Sequence, residues 1–287
     1  MAKSLLLGDV LRQARQRLAP ASDDAATEVR LLAEWAFGLS RLELVTKAEM
    51  PVDPAQIQVF DAALVRRLAG EPVHRIMGFR EFFGMRLELS EATLEPRPDT
   101  EVLVELVLDM IKAASRENDA LEILDLGTGT GAIALALLSV LENAKATITD
   151  IAHNALDTAL QNAWAHGLSG RVTAVEGKWF EPVEGKFDVI VSNPPYIPSV
   201  VVPTLDVEVR EHDPIAALDG GEDGLDPYRV IAADAAGHLK AKGIVAVEIG
   251  YDQAEDVTAL FEAAGFGLLE LRNDLGGRNR ALAFALQ

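Results

Sequence analysis

The chain has 287 residues, of which 49% are apolar and 25% are charged, an ordinary composition for a globular protein with room for two domains. It contains no cysteine, which excludes a disulfide framework, a thiolate metal site and a thiol nucleophile. The formal net charge of −19 disfavours stable nucleic-acid binding. No apolar run is long enough to span a membrane and no signal peptide is evident, so we expect a cytoplasmic protein.

The first quarter of the chain predicts a small helical bundle. Residues 4–69 carry helical patterning throughout, with Ser40 placed to cap one helix and Pro54 to open another that Gly70 closes. Residues 1–72 hold nine Lys and Arg against ten Asp and Glu, whereas the remainder holds 17 against 35. The acidity belongs to the second part, and a protein or small substrate fits this distribution better than DNA.

Two connecting segments follow the bundle. Residues 73–95 contain several spaced aromatic and aliphatic residues that predict a hairpin linker. In Glu95-Pro-Arg-Pro-Asp-Thr-Glu101 the prolines fix an extended approach, and Asp99 or Thr100 is predicted to cap the next helix. The rigidity of this loop favours an Arg97 side chain that faces a site.

From residue 121 onward, strand and helix patterns alternate. This alternation predicts an α/β domain with a mainly parallel sheet and helices on both faces. A short Gly276-Gly277 link joins the last two strands, so we expect that pair to be antiparallel. The predicted strands are 121–126, 146–151, 171–176, 187–193, 243–249, 266–272 and 280–286, and the predicted helices are 131–141, 153–166, 226–241 and 253–264.

One long loop, 197–225, interrupts this pattern. Long loops in compact domains are often lids or substrate loops. Its Asp219-Gly-Gly-Glu-Asp-Gly224 run contains carboxylates, but their spacing does not match a calcium-binding loop. We therefore predict no metal site.

A glycine-rich turn follows the first strand of the alternating region. Glycines permit tight turns and close approach of a ligand, and Asp150 ends the next strand, where an acid can accept both hydroxyls of a ribose. Gly127-x-Gly129-x-x-Ala132 matches a dinucleotide-binding loop. Asp125-x-Gly127-x-Gly129-x-Gly131 resembles instead the first motif of S-adenosylmethionine-dependent methyltransferases. An acid beside the glycines would repel a pyrophosphate and attract an ammonium group, which favours the second interpretation.

A polar strand end supplies the second motif, Asn193-Pro194-Pro195-Tyr196. The prolines end the strand at a carboxyl edge, where ligands of open α/β sheets bind. The Asn193 side-chain oxygen and the Pro194 carbonyl can accept the two N–H groups of a planar NH2, which turns its nitrogen towards an electrophile. The Tyr196 ring can pack on the flat face of the same group.

Together the helical N-terminal domain, the Pro96–Glu101 segment, the Gly127–Leu137 run and the Asn193–Ile197 motif resemble the HemK/PrmC family. The resemblance covers essentially the whole chain and implies a protein-(glutamine-N5) methyltransferase. Its expected substrate is the glutamine of the Gly-Gly-Gln loop in class I peptide chain release factors. Its cofactor would be S-adenosylmethionine, with S-adenosylhomocysteine as product. The implied fold is a Rossmann-like, seven-stranded class I methyltransferase domain at 96–287, preceded by a small all-α substrate-recognition domain at 1–72 and the linker at 73–95.

The same resemblance assigns site residues. Asn193, Pro194 and Tyr196 would be catalytic, and these three with Pro195 and Arg97 would bind the glutamine. The implied cofactor-binding residues are Asp125, Gly127, Thr128, Gly129, Thr130, Gly131, Asp150, Ile151, Trp179, Phe180 and Asn193.

Alternatives remain open at this point. A ribosomal-protein glutamine or adenine N6 presents a similar NH2 group, although duplex adenine would require base flipping and a basic cleft. A nicotinamide oxidoreductase and a non-catalytic binding module are the other two. Pro198 and the acidic 219–224 run depart from the family pattern and leave the substrate loop undefined.

Overall fold

The computed structural model describes residues 5–181 and 183–287, which form two compact units divided between Gly78 and Phe79. Residues 1–4 and Pro182 lie outside the described part, and with them the first residue of the predicted helical stretch 4–69. No helix in the described part is both long and apolar enough to cross a membrane.

The first unit is helical, as predicted. The predicted cap at Ser40 is confirmed, because Ser40 and Glu43 form a reciprocal capping box. At the helix that Pro54 opens, the Asp53 side chain accepts from Ala55 N. A further short helix, α5, lies in the stretch 73–95 where only a hairpin was expected. Its apolar face joins the core of this unit. The helices are α1 Leu7–Leu18, α2 Ala25–Phe37, α3 Arg41–Thr46, α4 Pro54–Leu68 and α5 Val73–Met77.

The second unit begins with an antiparallel hairpin and continues as an alternating α/β structure. Its strands are β1 Phe79–Phe82, β2 Met85–Glu88, β3 Glu122–Leu126, β4 Lys145–Asp150, β5 Val172–Glu176, β6 Phe187–Ser192, β7 Leu239–Glu248, β8 Phe266–Asn273 and β9 Asn279–Leu286. Its helices are α6 Glu101–Ala113, α7 Ala132–Val140, α8 His153–Ala165, α9 Val207–Arg210, α10 Asp226–His238 and α11 Ala254–Ala263.

Seven of these strands form one twisted sheet in the order β5-β4-β3-β6-β7-β9-β8. The first five in this order are parallel, whereas β9 is antiparallel to both of its neighbours. The mainly parallel sheet and the antiparallel last pair are therefore confirmed. Successive side chains of β3 alternate between two cores: Ile123 packs with α6, α7 and α8, and Leu124 packs with α10 and α11.

One predicted boundary is wrong. The sequence predicted a helix to residue 241 and a strand from 243, but α10 ends at His238 and β7 begins at Leu239. Leu239 pairs with Phe187 at the start of the parallel ladder, and the strand continues through an irregularity at Lys242, whose φ is +67°. Sheet pairing, a tertiary effect, overrides the helical pattern there.

Candidate active site

The glycine turn lies between β3 and α7 at the carboxyl edge of the sheet. Gly127, Gly129 and Gly131 have φ values of +68°, +55° and +83°, a region that side chains disfavour. Thr128 N donates to Thr149 O on the adjacent β4, at 2.9 Å. The turn is thereby fixed to the neighbouring strand rather than free to move.

Asp125 lies beneath this turn and is fully buried. One of its carboxylate oxygens accepts from Thr128 Oγ1 at 2.7 Å and from Ala134 N at 3.3 Å. Burial raises the pKa of Asp125 to about 6, against the effect of these hydrogen bonds. Its observed contacts brace the turn from below.

Asp150, at the end of β4, points back towards the same turn. Its Oδ2 accepts from Gly129 N and its Oδ1 from Ala152 N, each at 2.9 Å. Burial raises the pKa of this carboxyl as well. Each oxygen keeps a further lone pair, so the pair can accept two hydroxyl groups from a ligand.

Asn162, which the sequence reasoning missed, holds the turn from the other side. This buried α8 side chain donates to Thr130 O at 3.0 Å and exchanges two hydrogen bonds with the backbone of Glu88 on the hairpin. A buried amide with three partners on two remote segments positions both of them. A polar residue on the apolar face of α8 was the available signal.

The two aromatic residues after β5 take different places. Trp179 lines the cavity described below, and its ring lies 3.9 Å from the position of a Cβ at Gly127. Its φ of +50° is a strained conformation for a non-glycine residue, of the kind found at ligand sites. Phe180 instead is buried and stacks on His238, with ring centroids 4.9 Å apart.

The Asn193–Tyr196 motif follows β6 at the same edge of the sheet. Asn193 is half-buried and its Nδ2 donates to Thr100 Oγ1 at 3.3 Å. Pro194 is buried, and Tyr196 packs partly against the core that contains α10 and α11. Burial raises the pKa of Tyr196 to about 12, so its phenol is neutral at physiological pH.

The long loop 197–225 is fastened to this motif. Ile197 N donates to Leu218 O, and Gly220 N donates back to Ile197 O at 2.8 Å, which makes a short parallel bridge. Gln253, immediately before α11, donates to the carbonyls of both Tyr196 and Gly224. The glycine-rich run thus serves as a close-fitting brace behind the motif.

Two acids of this run have partners, one in the loop and one on α10. Asp219 accepts from Ser199 Oγ at 2.6 Å and from Gly221 N, which lower its pKa. Asp223 pairs with Arg229, and this holds the pKa of Asp223 at about 2. Within the described residues, no group of three or more His, Cys, Asp or Glu side chains could hold a metal ion.

Arg97 pairs with Asp213 of the same long loop at 2.8 Å. The carboxyl of Asp213 is almost wholly buried, while Arg97 is partly exposed at the cavity. The rigid proline segment is therefore tied to the loop that braces Asn193–Tyr196.

A further buried carboxylate, missed from the sequence, lies beside Asn193. Glu248 ends β7, is 2% exposed, and forms hydrogen bonds with Thr100 and Asn193. Burial raises its pKa to about 7, although the Thr100 hydrogen bond and the charge of Arg280 act in the opposite direction. A charged residue closing an apolar strand was the signal that could have identified it.

These elements enclose one cavity of about 670 Å³. It joins the glycine turn, Asp150 and Trp179 at one end to Thr100 and Asn193 at the other. Of the predicted site residues, those that line it are Arg97, Gly127, Thr128, Gly129, Thr130, Asp150, Ile151, Trp179, Asn193 and Pro195, whereas Asp125, Gly131, Phe180, Pro194 and Tyr196 lie outside its lining.

The cavity fits a nucleoside-type cofactor. Its volume lies in the range of small-molecule sites, and Asp150 offers two acceptor oxygens beside the open space at Gly129. Trp179 and the exposed Ile151 supply apolar surface for a flat ring. The residues present thus fit the ribose and adenine parts of S-adenosylmethionine.

Comparison with known proteins decides the family. Residues 9–78 match the PrmC N-terminal domain, and residues 100–204 match the methyltransferase small domain. A release factor glutamine methyltransferase of Agrobacterium fabrum is 52% identical over 272 residues, which is 94% of each chain. The chain belongs to the release factor glutamine methyltransferase family.

Another member, from Rhodospirillum rubrum, is 44% identical over 97% of this chain and 85% of its own length. The HemK/PrmC resemblance and the expectation of a methyltransferase enzyme are confirmed. A solved methyltransferase from Pyrococcus furiosus, 20% identical, superimposes with a TM-score of 0.51 over 78% of this chain and 96% of that one. That likeness concerns the fold alone and confirms the Rossmann-like methyltransferase architecture.

Proposed function

We propose that this protein transfers a methyl group from S-adenosylmethionine to the side-chain amide nitrogen of the glutamine in the Gly-Gly-Gln motif of class I release factors. The observation that carries this proposal is the single cavity. Gly129 and Asp150 line one end of it and Asn193 lines the other, which supports ribose binding at the first end and amide binding at the second. The names of the related proteins support the choice of substrate.

Asp150 and the glycine turn hold the cofactor in this proposal. The two Asp150 oxygens accept the ribose hydroxyls, while Trp179 and Ile151 contact the adenine ring. Asp125 acts from beneath, by keeping the turn in shape through Thr128. When bound, S-adenosylmethionine supplies an electrophilic methyl group.

Asn193 and Pro194 hold the glutamine amide. The Asn193 Oδ1 accepts one N–H and the Pro194 carbonyl accepts the other, so that both protons of the nucleophilic nitrogen are held as its charge rises. Tyr196 packs against the same segment as a neutral phenol. No histidine within the described residues lines the cavity, which agrees with a reaction that needs positioning rather than a general base.

The helical unit is assigned to recognition of the release factor. It carries a groove of about 300 Å³ lined by three arginines, Arg15, Arg30 and Arg41, beside Leu11 and Val45. Reversal of two of these charges, by Arg15→Glu with Arg41→Glu, is expected to raise KM for the intact release factor and to leave methylation of a short Gly-Gly-Gln peptide unchanged.

The substrate assignment is tested by incubation with labelled S-adenosylmethionine and a panel of acceptors. The panel holds a release factor, its Gly-Gly-Gln variant with Gln→Ala, a ribosomal protein and DNA. Label on the wild-type release factor alone is the expected result. Label on ribosomal protein or DNA overturns the substrate assignment but is still consistent with the amide-binding site. Cofactor binding without label on any acceptor favours a non-catalytic binding module.

A further inference from the structure

A buried carboxylate stands next to the amide-binding side chain. Glu248 is the last residue of β7, and Asn193 follows β6, whose final residue Ser192 pairs with Val247. The two side chains are therefore neighbours at one edge of the sheet. A carboxylate with so little exposure loses much of its solvation free energy, so its presence calls for a compensating role.

Thr100 connects these two residues. It occupies the N-cap position of α6, where the sequence predicted Asp99 or Thr100 as the cap, yet its side chain makes no capping hydrogen bond. Its hydroxyl instead receives Asn193 Nδ2–H at 3.3 Å and is hydrogen-bonded to the Glu248 carboxyl group, which is also hydrogen-bonded directly to the Asn193 side chain. The hydroxyl that was expected to cap a helix serves the cavity.

The direction of this chain follows from donor and acceptor chemistry. An ionised carboxylate only accepts, so the single Thr100 hydroxyl proton goes to Glu248. The Thr100 oxygen and the Glu248 carboxylate are then both acceptors, so Asn193 must present Nδ2 to them. The Asn193 Oδ1 is consequently left for the cavity, as the proposed binding of a substrate NH2 requires.

The surroundings of Glu248 let its charge change near neutral pH. Arg280 of β9 favours the ionised form, whereas Asp99 opposes it. The phenols of Tyr196 and Tyr228 also face the carboxyl, and Tyr228 donates to the Glu248 backbone carbonyl at 2.8 Å. Burial outweighs the favourable charge and raises the pKa of Glu248 to about 7.

Protonation of Glu248 allows the hydrogen bonds of the chain to reverse direction. A neutral Glu248 can donate to Thr100, and the Thr100 proton is then free to be donated to Asn193 Oδ1. The amide would turn over and present its NH2 to the cavity. An NH2 facing the substrate NH2 places donor against donor, so the site would lose its acceptor.

We infer that Glu248 and Thr100 are positioning residues that hold Asn193 with its oxygen towards the cavity, and that protonation of Glu248 switches the site off. This inference rests on the proposed function and adds a pH-dependent regulation to the same site. Neither residue contacts the substrate in this scheme; both act through Asn193.

The first test compares two variants of Thr100 that differ in the hydroxyl. Thr100→Val keeps the shape and removes the hydroxyl, and is expected to lower kcat on the release factor about 100-fold. Thr100→Ser keeps the hydroxyl and is expected to stay within about threefold of wild type. Cofactor Kd and Tm should be similar for both variants. Equal kcat values for the two variants overturn the role of the chain.

The second test is the pH dependence of kcat. Wild type is expected to lose activity as pH falls through about 7, with a one-proton slope. Glu248→Gln is expected to have a low kcat that no longer varies between pH 6 and 8. Asp99→Asn, which removes an opposing charge, should move the acid limb to lower pH. Persistence of the limb in Glu248→Gln overturns the switch.

A third readout separates this inference from the proposed function. In ¹⁵N NMR of the whole protein, the Asn193 side-chain NH2 signal should titrate near pH 7 in wild type and stay constant in Glu248→Gln. A wild-type enzyme that leaves the release factor unlabelled contradicts the proposed function alone. An Asn193 signal that does not titrate contradicts the switch alone.

Discussion

The two ends of the cavity are built in different ways. At the proposed cofactor end, the glycine turn, Asp125 and Asp150 lie on two adjacent strands and are joined mostly by backbone groups. At the proposed substrate end, Asn193 depends on Thr100 from one segment and Glu248 from another, both far away in sequence. The first end is mainly a local motif, and the second is an assembly made by the fold.

This difference shows which end of the cavity depends on contacts from remote segments. The glycine turn is held mainly by hydrogen bonds within β3, β4 and the start of α7, with Asn162 of α8 as a more distant partner, and its shape is set by positive φ angles. The Asn193–Tyr196 motif is held from behind by Gly220, Gly224 and Gln253. Changes in remote segments should therefore affect substrate handling before they affect cofactor binding.

The largest expected effect comes from Asn193→Ala. Loss of the amide acceptor should lower kcat about 1,000-fold, as for removal of a group that stabilises transition-state charge. Cofactor Kd, measured by calorimetry, should change little because the cofactor end is held independently. A folded variant that no longer binds cofactor would contradict this division of the cavity.

Gly224→Ala tests the brace behind the motif. Gly224 has a φ of +78°, and a Cβ there would overlap the Tyr196 carbonyl oxygen. We expect a loss of about 3 kcal/mol in the free energy of unfolding, with a lower kcat. Gly185→Ala is the matched control, because Gly185 has a φ of +91° but open space around its Cβ position, and should cost only about 1 kcal/mol. Urea titrations that show equal losses for the two variants would argue against the brace.

Asp150→Ala tests the same division of the cavity at the proposed cofactor end. Removal of an acceptor for two hydroxyls should weaken cofactor binding about 30-fold, or roughly 2 kcal/mol. At saturating cofactor, kcat should fall much less. Asp150→Asn, which keeps one acceptor oxygen, should give an intermediate Kd in the same titration. A large fall in kcat with unchanged Kd would be the opposite of this expectation.

The smallest effect concerns stability and pH. Burial raises the pKa of Glu248 from 4.5 to about 7 in the folded state. The folded state therefore binds this proton more tightly, and stability falls as pH rises from about 4.5 to 7, by roughly 3 kcal/mol in full. Glu248→Gln removes this penalty but also removes a charged hydrogen bond. The free energy of unfolding of the variant should therefore be about 1 kcal/mol higher than that of wild type at pH 8.

This stability advantage should largely disappear at pH 5, where Glu248 is protonated in the wild-type fold. Burial also raises the pKa of Asp125, but Asp125 is common to both proteins and cancels in the comparison. Urea unfolding at the two pH values measures the difference directly. An advantage that is the same at pH 5 and pH 8 would show that the Glu248 charge is not its source.

Much of the fold and of the cofactor end could be predicted because the signals are local. The alternation of strand and helix predicted the mainly parallel sheet, and the short Gly276-Gly277 link predicted the antiparallel last pair. Glycine spacing and Asp150 at the end of a strand marked the turn that now lines the cavity. Each of these features follows from the conformational limits of a few consecutive residues.

Other features could not be predicted without the tertiary structure. Asp99 or Thr100 was predicted to cap α6, and Phe180 was expected to contact the cofactor. Instead Thr100 bonds to Asn193, and Phe180 stacks on His238 inside the core. The acidic run 219–224 had no assigned role, yet it closes against Asn193–Tyr196. Nothing in the neighbouring sequence shows which distant strand or loop will be adjacent.

Local patterns in the sequence were enough to locate most of the helices and strands and the family motifs. They also located two chemical groups, a glycine turn and an amide side chain at a strand end. Hydrophobic periodicity and backbone restrictions act over a few residues, so they can be read along the chain. The proximity of Glu248 and Thr100 to Asn193 is visible only in the folded protein. Strand order brings β6 and β7 together, and burial then sets the charge and the hydrogen-bond direction of the groups placed there.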